Sequence, residues 1–220
     1  LVFGNNIFLF KYFFIKISLI ISIIIFMGGQ SFLFWLLKFF QTSPHYFNFV
    51  IDSKIPFLPE FVYIYNIFYP LIFVIYLILF NKDQDNYYEG IIAGTIGYII
   101  SDIIFILFPT QIIRYTIPNR ISKITTFVLN TTYLYDDPPL NCFPSIHCLF
   151  CFQAIFNVIR AKSLNKSNKI LIVIILILII ASTVLIKQHY FIDVIGAFVI
   201  FTISNLITIK LNLKEKIGVN

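Results

Sequence analysis

Six long apolar stretches dominate this 220-residue sequence and restrict what the chain can fold into. A helix needs about 20 mainly apolar residues to cross a bilayer. The six stretches that approach this length cover residues 12–28, 62–80, 91–108, 145–158, 170–186 and 191–209. The sequence therefore predicts an all-α integral membrane bundle of about six transmembrane helices. A shorter apolar piece, residues 32–40, is predicted to lie along the membrane interface.

The composition is also typical of a chain that is surrounded by lipid. Hydrophobic residues make up 59% of the chain and charged residues only 12%, against about 25% charged residues in a soluble domain. So few charges cannot cover the surface of a soluble globule of this size. The first apolar stretch has no small-residue cleavage site, so we expect a retained span rather than a secretory signal.

The basic residues lie in the short segments between apolar stretches, and the net charge is +6. A nucleic-acid-binding protein would cluster such residues on one surface, so no nucleic-acid partner is expected. With six spans the termini share one side, whose nine basic residues are Lys11, Lys82, Arg160, Lys162, Lys166, Lys169, Lys210, Lys214 and Lys216. The opposite side carries six, namely Lys38, Lys54, Arg114, Arg120, Lys123 and Lys187. Because cytoplasmic loops carry the excess of Lys and Arg, the termini are predicted to be cytoplasmic.

Two histidines are predicted to meet at one membrane face. His147 begins the fourth apolar stretch, and His189 lies between the fifth and the sixth. Two crossings separate them, so they share a face in either orientation of the protein. Arg114 and Lys187 lie at the same face. Ionisable groups at membrane depth are costly and usually functional, which makes this face, on the extracytoplasmic side, the predicted active site.

Asp193 is predicted to orient His189. The two residues are four positions apart, and positions i and i+4 lie on one face of a helix. A carboxylate there can accept a hydrogen bond from one imidazole nitrogen and leave the other free as base or nucleophile. The structural alternative is an interfacial His–Asp pair without chemistry.

The segment PSIH at residues 144–147 has the composition of a helix start. Ser145 can cap the helix or donate to an anion, and backbone N–H groups at a helix N-terminus attract phosphate. His147 can donate a proton to a leaving oxygen. The alternative is plain capping of the fourth span. The occurrence of this segment and the His189 segment at one face favours chemistry, and phosphoryl transfer in particular.

Three segments resemble signatures of a known superfamily: CFPSIH at 142–147, ST at 182–183 and KQHYFID at 187–193. In this order they resemble Pro-Ser-Gly-His and Ser-Arg-x5-His-x3-Asp of the type-2 phosphatidic acid phosphatase superfamily. That superfamily includes lipid phosphate phosphatases, vanadium haloperoxidases and sphingolipid synthases. The resemblance covers roughly residues 90–207.

The resemblance implies a phosphatidic acid phosphatase type-2-like membrane bundle and a role for each matching residue. His189 matches the nucleophile that becomes a phosphohistidine, and Asp193 matches the carboxylate that orients it. His147 matches the general acid, and Ser145 matches a donor to phosphate oxygens. Arg114 matches the arginine of the first signature, Lys-x6-Arg-Pro. The family chemistry implies no metal or other cofactor.

The chain departs from these signatures at several positions. Leu107 stands where the first signature has lysine, and Tyr115 stands where it has proline. Ile146 replaces a glycine, and Thr183 replaces the arginine of the third signature. Two expected phosphate-binding cations are therefore missing, and Lys187 is the predicted substitute for one of them.

The missing cations affect the expected substrate. A phosphomonoester carries close to two negative charges near neutrality, whereas a phosphodiester carries one and needs fewer cations. The predicted function is a membrane phosphatase that hydrolyses a lipid phosphate or pyrophosphate monoester. The alternative is a phosphodiester headgroup transferase of the inositol phosphorylceramide or sphingomyelin synthase type, which residues 189–193 also resemble. The expected partners are a lipid phosphate and the membrane.

A single domain is predicted, with the first span and interfacial segment in residues 1–60 and the membrane-embedded catalytic part in residues 61–220. A transporter would distribute polar residues along several spans, whereas here they gather at one face. A non-catalytic scaffold is the other alternative. Cys142, Cys148, Cys151 and His147 could form a zinc site, but cysteine within a span behaves as a small apolar residue, so no metal is expected.

Overall fold

The computed structural model describes residues 28–212, apart from residues 30, 42, 48 and 119. The elements in chain order are α1 (residues 31–38), β1 (His45–Tyr46), α2 (Val50–Lys54), α3 (Val62–Asn66), α4 (Phe68–Lys82), α5 (Gln84–Leu107), β2 (Thr110–Gln111), α6 (Lys123–Tyr135), α7 (Ile146–Arg160), α8 (Lys166–Leu185) and α9 (Phe191–Lys210). A 3₁₀ turn, Pro59–Phe61, leads into α3. The two short strands pair in parallel, with His45 opposite Thr110.

Four helical segments in the described part are long and apolar enough to cross a membrane: Pro59–Lys82, Gln84–Leu107, Lys166–Leu185 and Phe191–Lys210. These segments confirm the prediction of an all-α membrane protein. The predicted fourth span corresponds to α7, which is a shorter apolar helix of 15 residues. The predicted first span, at 12–28, lies outside the described residues except at its last position. The predicted number of six spans is therefore not confirmed.

Two segments whose polar composition predicts loops contain helical residues. Between α4 and α5 only Asp83 lies outside a helix, although residues 81–89 have the composition of a turn. The long polar segment 109–144 contains α6, which Ser122 caps by accepting a hydrogen bond from Thr125 N at 3.1 Å. This helix forms because one face, with Leu129 and Tyr133, is buried against the bundle.

The central helix of the bundle is α7. It packs against α4, α5, α8 and α9, and more than half of its residues are buried. Its N-terminus is thereby held at one end of the bundle, where His147 begins its first turn.

Buried amide side chains join three of the packed helices. Asn205 Nδ2 of α9 donates to Gln153 Oε1 of α7 at 2.8 Å, and Gln153 Nε2 donates to Asn157 Oδ1 at 2.9 Å. Asn86 Nδ2 of α5 donates to the Asn157 carbonyl at 2.7 Å. Hydrogen bonds between helices replace water as partners for polar groups in the membrane. They fix the register of α5, α7 and α9 without any contact with the predicted site residues.

The helix ends form two opposite faces. At one face, Leu58 N donates to the Leu185 carbonyl at 2.9 Å, and the Tyr133 hydroxyl donates to the Ile186 carbonyl. At the other face, Lys162 N donates to Asp83 Oδ2 at 2.9 Å. The first face, called the site face below, holds the C-terminal ends of α5 and α8 and the N-terminal ends of α7 and α9.

Candidate active site

The structure brings the two predicted histidines together at the site face. The ring centroids of His147 and His189 are 6.1 Å apart, and both rings line one cavity of about 840 Å³. We call this space the histidine cavity. Its lining residues are Ser31, Phe32, Phe34, Trp35, Lys38, Tyr65, Asn66, Phe68, Tyr69, Phe127, Val128, Thr131, Thr132, Tyr135, Asp136, Leu140, Asn141, Cys142, Ile146, His147, Phe150 and His189.

The hydrogen bonds of His189 define its tautomer. Its Nδ1 lies 3.1 Å from the carbonyl oxygen of Cys142 and 3.2 Å from Oδ2 of Asp193. The carbonyl oxygen of Cys142 can only accept a hydrogen bond, so Nδ1 carries the proton in this arrangement. The lone pair of the neutral ring is therefore on Nε2. Nε2 is the nitrogen that is available for chemistry.

The turn after α8 places His189 at the cavity. The backbone N–H groups of Gln188 and His189 donate to the Thr183 carbonyl at 3.0 and 3.1 Å, which closes the C-terminal end of the helix. Lys187 adopts a positive φ of 56° in this turn. Thr183, at the position where the family signature has arginine, thus contributes its carbonyl to the turn.

Asp193 is fixed by the start of α9. It is the third residue of that helix, and its Oδ2 accepts from Tyr190 N at 2.8 Å. The side chain is fully buried, so the carboxylate has little freedom to turn away from His189. The i, i+4 geometry expected for the pair is therefore present, with the aspartate acting as both helix cap and histidine partner.

The segment before α7 is bonded to the same aspartate. Ser145 N donates to the Asp193 carbonyl at 3.1 Å, and Phe143 N donates to Thr110 Oγ1 at 2.8 Å. Ser145 Oγ accepts from Cys148 N at 3.3 Å and caps α7. Of the two roles that the sequence left open for Ser145, the structure shows the cap.

His147 lies in an aromatic environment. Its ring centroid is 4.8 Å from that of Tyr65, 4.6 Å from that of Phe68 and 5.8 Å from that of Tyr69. These residues come from α3 and α4, so the N-terminal end of the first described span positions the second histidine. The packing fixes the ring against the cavity. These aromatic partners could not be predicted from the sequence, because the many Tyr and Phe residues of the chain give no pattern that distinguishes them.

Arg114 lies at the site face but is bonded to neighbouring loop atoms. Its guanidinium donates to the carbonyl of Tyr133 at 2.6 Å, to Asp136 Oδ2 at 3.1 Å and to Gln188 Oε1 at 3.3 Å. It also stacks on the Tyr133 ring at 4.6 Å. Arg114 is not among the residues that line the histidine cavity, although Asp136 is.

Lys187 is also occupied by protein atoms. Its ammonium donates to the carbonyls of Asp52 and Ile55 at 3.0 and 2.7 Å and lies 5.0 Å from the centre of the Tyr115 ring. Burial lowers the pKa of the ammonium, and the charge of Asp52 opposes that shift. Lys187 does not line the histidine cavity. The structure thus shows it as a tether between residues 52–55 and the His189 turn.

Lys38 lines the histidine cavity, although it was not predicted as a site residue. Lys38 is buried at the end of α1, where its ammonium donates to Asp136 Oδ1 at 2.6 Å and to the Pro138 carbonyl at 2.9 Å. Its sequence signal was a single cation within an apolar stretch, which is unusual enough to mark a functional candidate. Residues before the predicted boundary at 60/61 therefore contribute to the site.

The histidine cavity has an apolar part and a polar part. Aromatic and aliphatic side chains of α1, α4, α6 and α7 form most of its wall, while Lys38, Asp136 and the two histidines supply ionisable groups. A cavity with this division suits an amphipathic ligand whose charged end lies at the histidines.

Comparison with known proteins identifies the family. A sequence profile described as the PAP2 superfamily matches residues 39–207, which is more than half of the chain. The chain matches no curated protein and no solved structure. Members of this superfamily are generally phosphatases or phosphotransferases. The match confirms the predicted superfamily and shows that the chain belongs to the PAP2 superfamily, as a membrane protein with activity of this general type.

Proposed function

We propose that this protein cleaves a P–O bond of a phosphate-bearing membrane lipid through a phosphohistidine at His189. The observation that carries the proposal is the hydrogen bonding of His189. With Nδ1–H held by Asp193 and Cys142, the basic Nε2 is available to attack phosphorus beside a second imidazole.

In the first step, the lone pair of His189 Nε2 forms a bond to phosphorus. The bond from phosphorus to the leaving oxygen breaks, and its electron pair remains on that oxygen. His147 donates a proton to the leaving oxygen, so that an alcohol departs rather than an alkoxide. An anionic phosphate beside the ring favours the protonated imidazole that this step requires. The N-terminus of α7, where Ile146 and His147 line the cavity, favours the negative charge.

In the second step, His147 accepts a proton from the attacking hydroxyl group. Its oxygen bonds to phosphorus, the P–N bond to His189 breaks, and the histidine returns to its starting state. With water as the acceptor, the reaction is hydrolysis of a lipid phosphate or pyrophosphate. This phosphatase activity is our first candidate, because the segments around both histidines resemble the signatures of lipid phosphate phosphatases.

The second candidate is transfer of a phosphodiester headgroup to a lipid hydroxyl, as in inositol phosphorylceramide and sphingomyelin synthases. Among the described residues that line the histidine cavity, Lys38 is the only Lys or Arg. A site with few cations is better matched to one negative charge than to two. The two candidates share the first step and differ in the acceptor.

A direct experiment compares the candidates. Purified protein is incubated with labelled phosphatidic acid, undecaprenyl pyrophosphate or phosphatidylinositol, each with and without ceramide. Release of free phosphate supports the phosphatase, and formation of a new phosphosphingolipid supports the transferase. Absence of turnover with every lipid would favour a non-catalytic scaffold.

Asp193→Asn tests the orientation of the nucleophile. The asparagine keeps the volume but can present an N–H to Nδ1, which disfavours the tautomer with a free Nε2. We expect kcat to fall by roughly 10²- to 10⁴-fold with a much smaller change in KM. The measurement is steady-state kinetics, with the thermal midpoint in detergent as the control for loss of the helix cap. Normal kcat in the folded variant would contradict the role given to Asp193.

The distribution of exposed charge supports an extracytoplasmic site face. Lys38, Arg114 and Lys187 are bonded inside the protein at that face. Its exposed basic residues in the described part are Lys54, Arg120 and Lys123. Those of the opposite face in the described part are Lys82, Arg160, Lys162, Lys166 and Lys210. Basic residues that interact with water are therefore more numerous at the opposite face, which is expected of the cytoplasmic side.

Lys123→Cys tests this orientation in intact cells. Residue 123 is exposed at the start of α6, whereas the three native cysteines are buried. We expect a membrane-impermeant maleimide added outside to label the variant, with Lys162→Cys as the matched position at the opposite face. Labelling of residue 162 but not residue 123 before permeabilisation would reverse the orientation.

A further inference from the structure

Asp136 lies between Lys38, which lines the histidine cavity, and Arg114. Its Oδ1 accepts from Lys38 at 2.6 Å, and its Oδ2 accepts from Arg114 at 3.1 Å. The carboxylate thus binds the two cations through two oxygens, as an anionic ligand would. Asp136 lines the histidine cavity and its side chain is 26% exposed, so the carboxylate can interact with a ligand there.

The charges of this cluster reach the atoms that hold His189. Cys142, whose carbonyl binds His189 Nδ1, has a thiol pKa raised mainly by burial. The negative charges of Asp193 and Asp136 raise the pKa further, and the positive charge of Lys38 lowers it. Lys38 and Asp136 also line the same cavity as Cys142 and His189, so their charges act on an anion that is bound there.

The cluster of Lys38, Arg114 and Asp136 carries a net charge of +1. Two positive charges face one carboxylate, and no other acid lies as close to these cations in the described structure. Asp137 is 3.7 Å from Arg114, but its side chain is 66% exposed and its charge is screened by water. A bound phosphate group would therefore meet a net charge of +1 from two cations and one carboxylate.

We infer that Asp136 is a specificity-determining residue that makes the site select a monoanionic phosphodiester over a dianionic phosphomonoester. Asp136 neutralises one of the two cations. That cation is therefore not available to bind a second negative charge on the phosphate group. Asp136 also repels that second charge across the cavity. The inference rests on the proposed covalent chemistry of His189 and assigns the charge class of its substrate. Of the two candidate functions, it favours the phosphodiester headgroup transferase over the phosphatase.

Phosphatidic acid and phosphatidylmethanol form a matched pair for testing this selection. Phosphatidylmethanol has one additional methyl group, on an oxygen bound to phosphorus. Phosphatidic acid is therefore a monoester with close to two negative charges at neutral pH, whereas phosphatidylmethanol is a diester with one. In both, His189 forms a bond to phosphorus, the bond to the glycerol oxygen breaks, and His147 protonates that oxygen. Diacylglycerol leaves in both reactions, so its release is a common measure of the first step.

The experiment measures diacylglycerol release by the full-length protein in mixed detergent micelles at neutral pH. We expect wild type to have the higher kcat/KM for phosphatidylmethanol. In Asp136→Asn, we expect the ratio of the two kcat/KM values to shift toward phosphatidic acid by about tenfold or more, because a nearby repulsive charge is removed. Asp136→Glu keeps the charge and is expected to keep the wild-type preference.

Asp137→Asn is the matched control, since it removes a neighbouring but water-exposed charge and is expected to leave the ratio unchanged. An equal loss with both lipids in Asp136→Asn would show that Asp136 only supports the structure, and it would overturn the inference. If Asp136→Asn does not fold, the wild-type protein still tests the inference. A wild-type preference for phosphatidic acid over phosphatidylmethanol would overturn it. Activity that persists in His189→Ala would instead contradict the proposed covalent chemistry, so the two failures are distinguishable.

Discussion

Replacing His189 with alanine is expected to lower kcat for the lipid substrate by at least about 10⁴-fold, because the nucleophile that forms the covalent intermediate is removed. The variant should still fold, since His189 lies in a turn whose backbone bonds go to the Thr183 carbonyl and do not involve the ring. When the imidazole is removed, Oδ2 of Asp193 still accepts from Tyr190 N, so the start of α9 is preserved.

The same variant should lose the phosphoenzyme. Wild type that is quenched during turnover of a ³²P-labelled lipid is expected to carry label that is stable in base and released in acid. In His189→Ala this label should be absent. His45→Ala is the matched control because His45 is the one histidine of the sequence that has no proposed role. It is exposed, and its ring is stacked 4.4 Å from that of Phe108. We expect its activity to stay within about twofold of wild type. Label that persists in His189→Ala would place the nucleophile elsewhere.

Replacing His147 with alanine is expected to lower kcat by roughly 10²- to 10⁴-fold for a lipid substrate, whose glycerol oxygen must be protonated as it leaves. For an aryl phosphate that releases p-nitrophenolate, the deficit should be much smaller, because this leaving group is stable without a proton. The ratio of the two deficits measures the contribution of the general acid. Equal deficits with both substrates would show that His147 acts through binding or structure.

Packing must be separated from chemistry in this test. His147 contacts the rings of Tyr65, Phe68 and Tyr69, so alanine leaves a space that these side chains bordered. His147→Phe fills that space without a titratable nitrogen. We expect the phenylalanine variant to unfold closer to the wild-type temperature than the alanine variant, and to show the same dependence on the leaving group.

Several features of the fold could be predicted from the sequence because lipid imposes a simple requirement on it. A chain segment in a bilayer must satisfy its own backbone hydrogen bonds, so long apolar stretches become helices. The predicted stretches 91–108, 170–186 and 191–209 correspond to α5, α8 and α9. Helix ends outside the apolar region were harder to predict, since α5 continues through polar residues as far as Gln84.

Helix α6 illustrates a limit of composition. Residues 109–144 are polar enough to indicate a loop, yet α6 forms because a narrow face with Leu129 and Tyr133 is covered by the bundle. Which surface covers such a face depends on residues far away in the sequence, including Val62 and Tyr65. Propensity and polarity carry no information about that contact.

The cations at the site show the same limit more sharply. Arg114 and Lys187 were predicted from their place in the chain, but their partners include the carbonyls of Tyr133, Asp52 and Ile55. Every residue has a backbone carbonyl, so the sequence does not indicate which carbonyl a cation will bind. Lys38 and Asp136 are 98 positions apart, and nothing in either segment indicates their pairing.

The sequence by itself determined that this chain is a helical membrane protein and which residue types could meet at one of its faces. Hydrophobic length and the i, i+4 spacing of His189 and Asp193 are local properties, and local properties can be read directly along a chain. The tertiary structure alone decided which atoms contact Nδ1 of His189 and the pairing of Lys38 and Arg114 with Asp136. These depend on distances of a few ångströms between separate segments, which only the packing of the helices and loops can set.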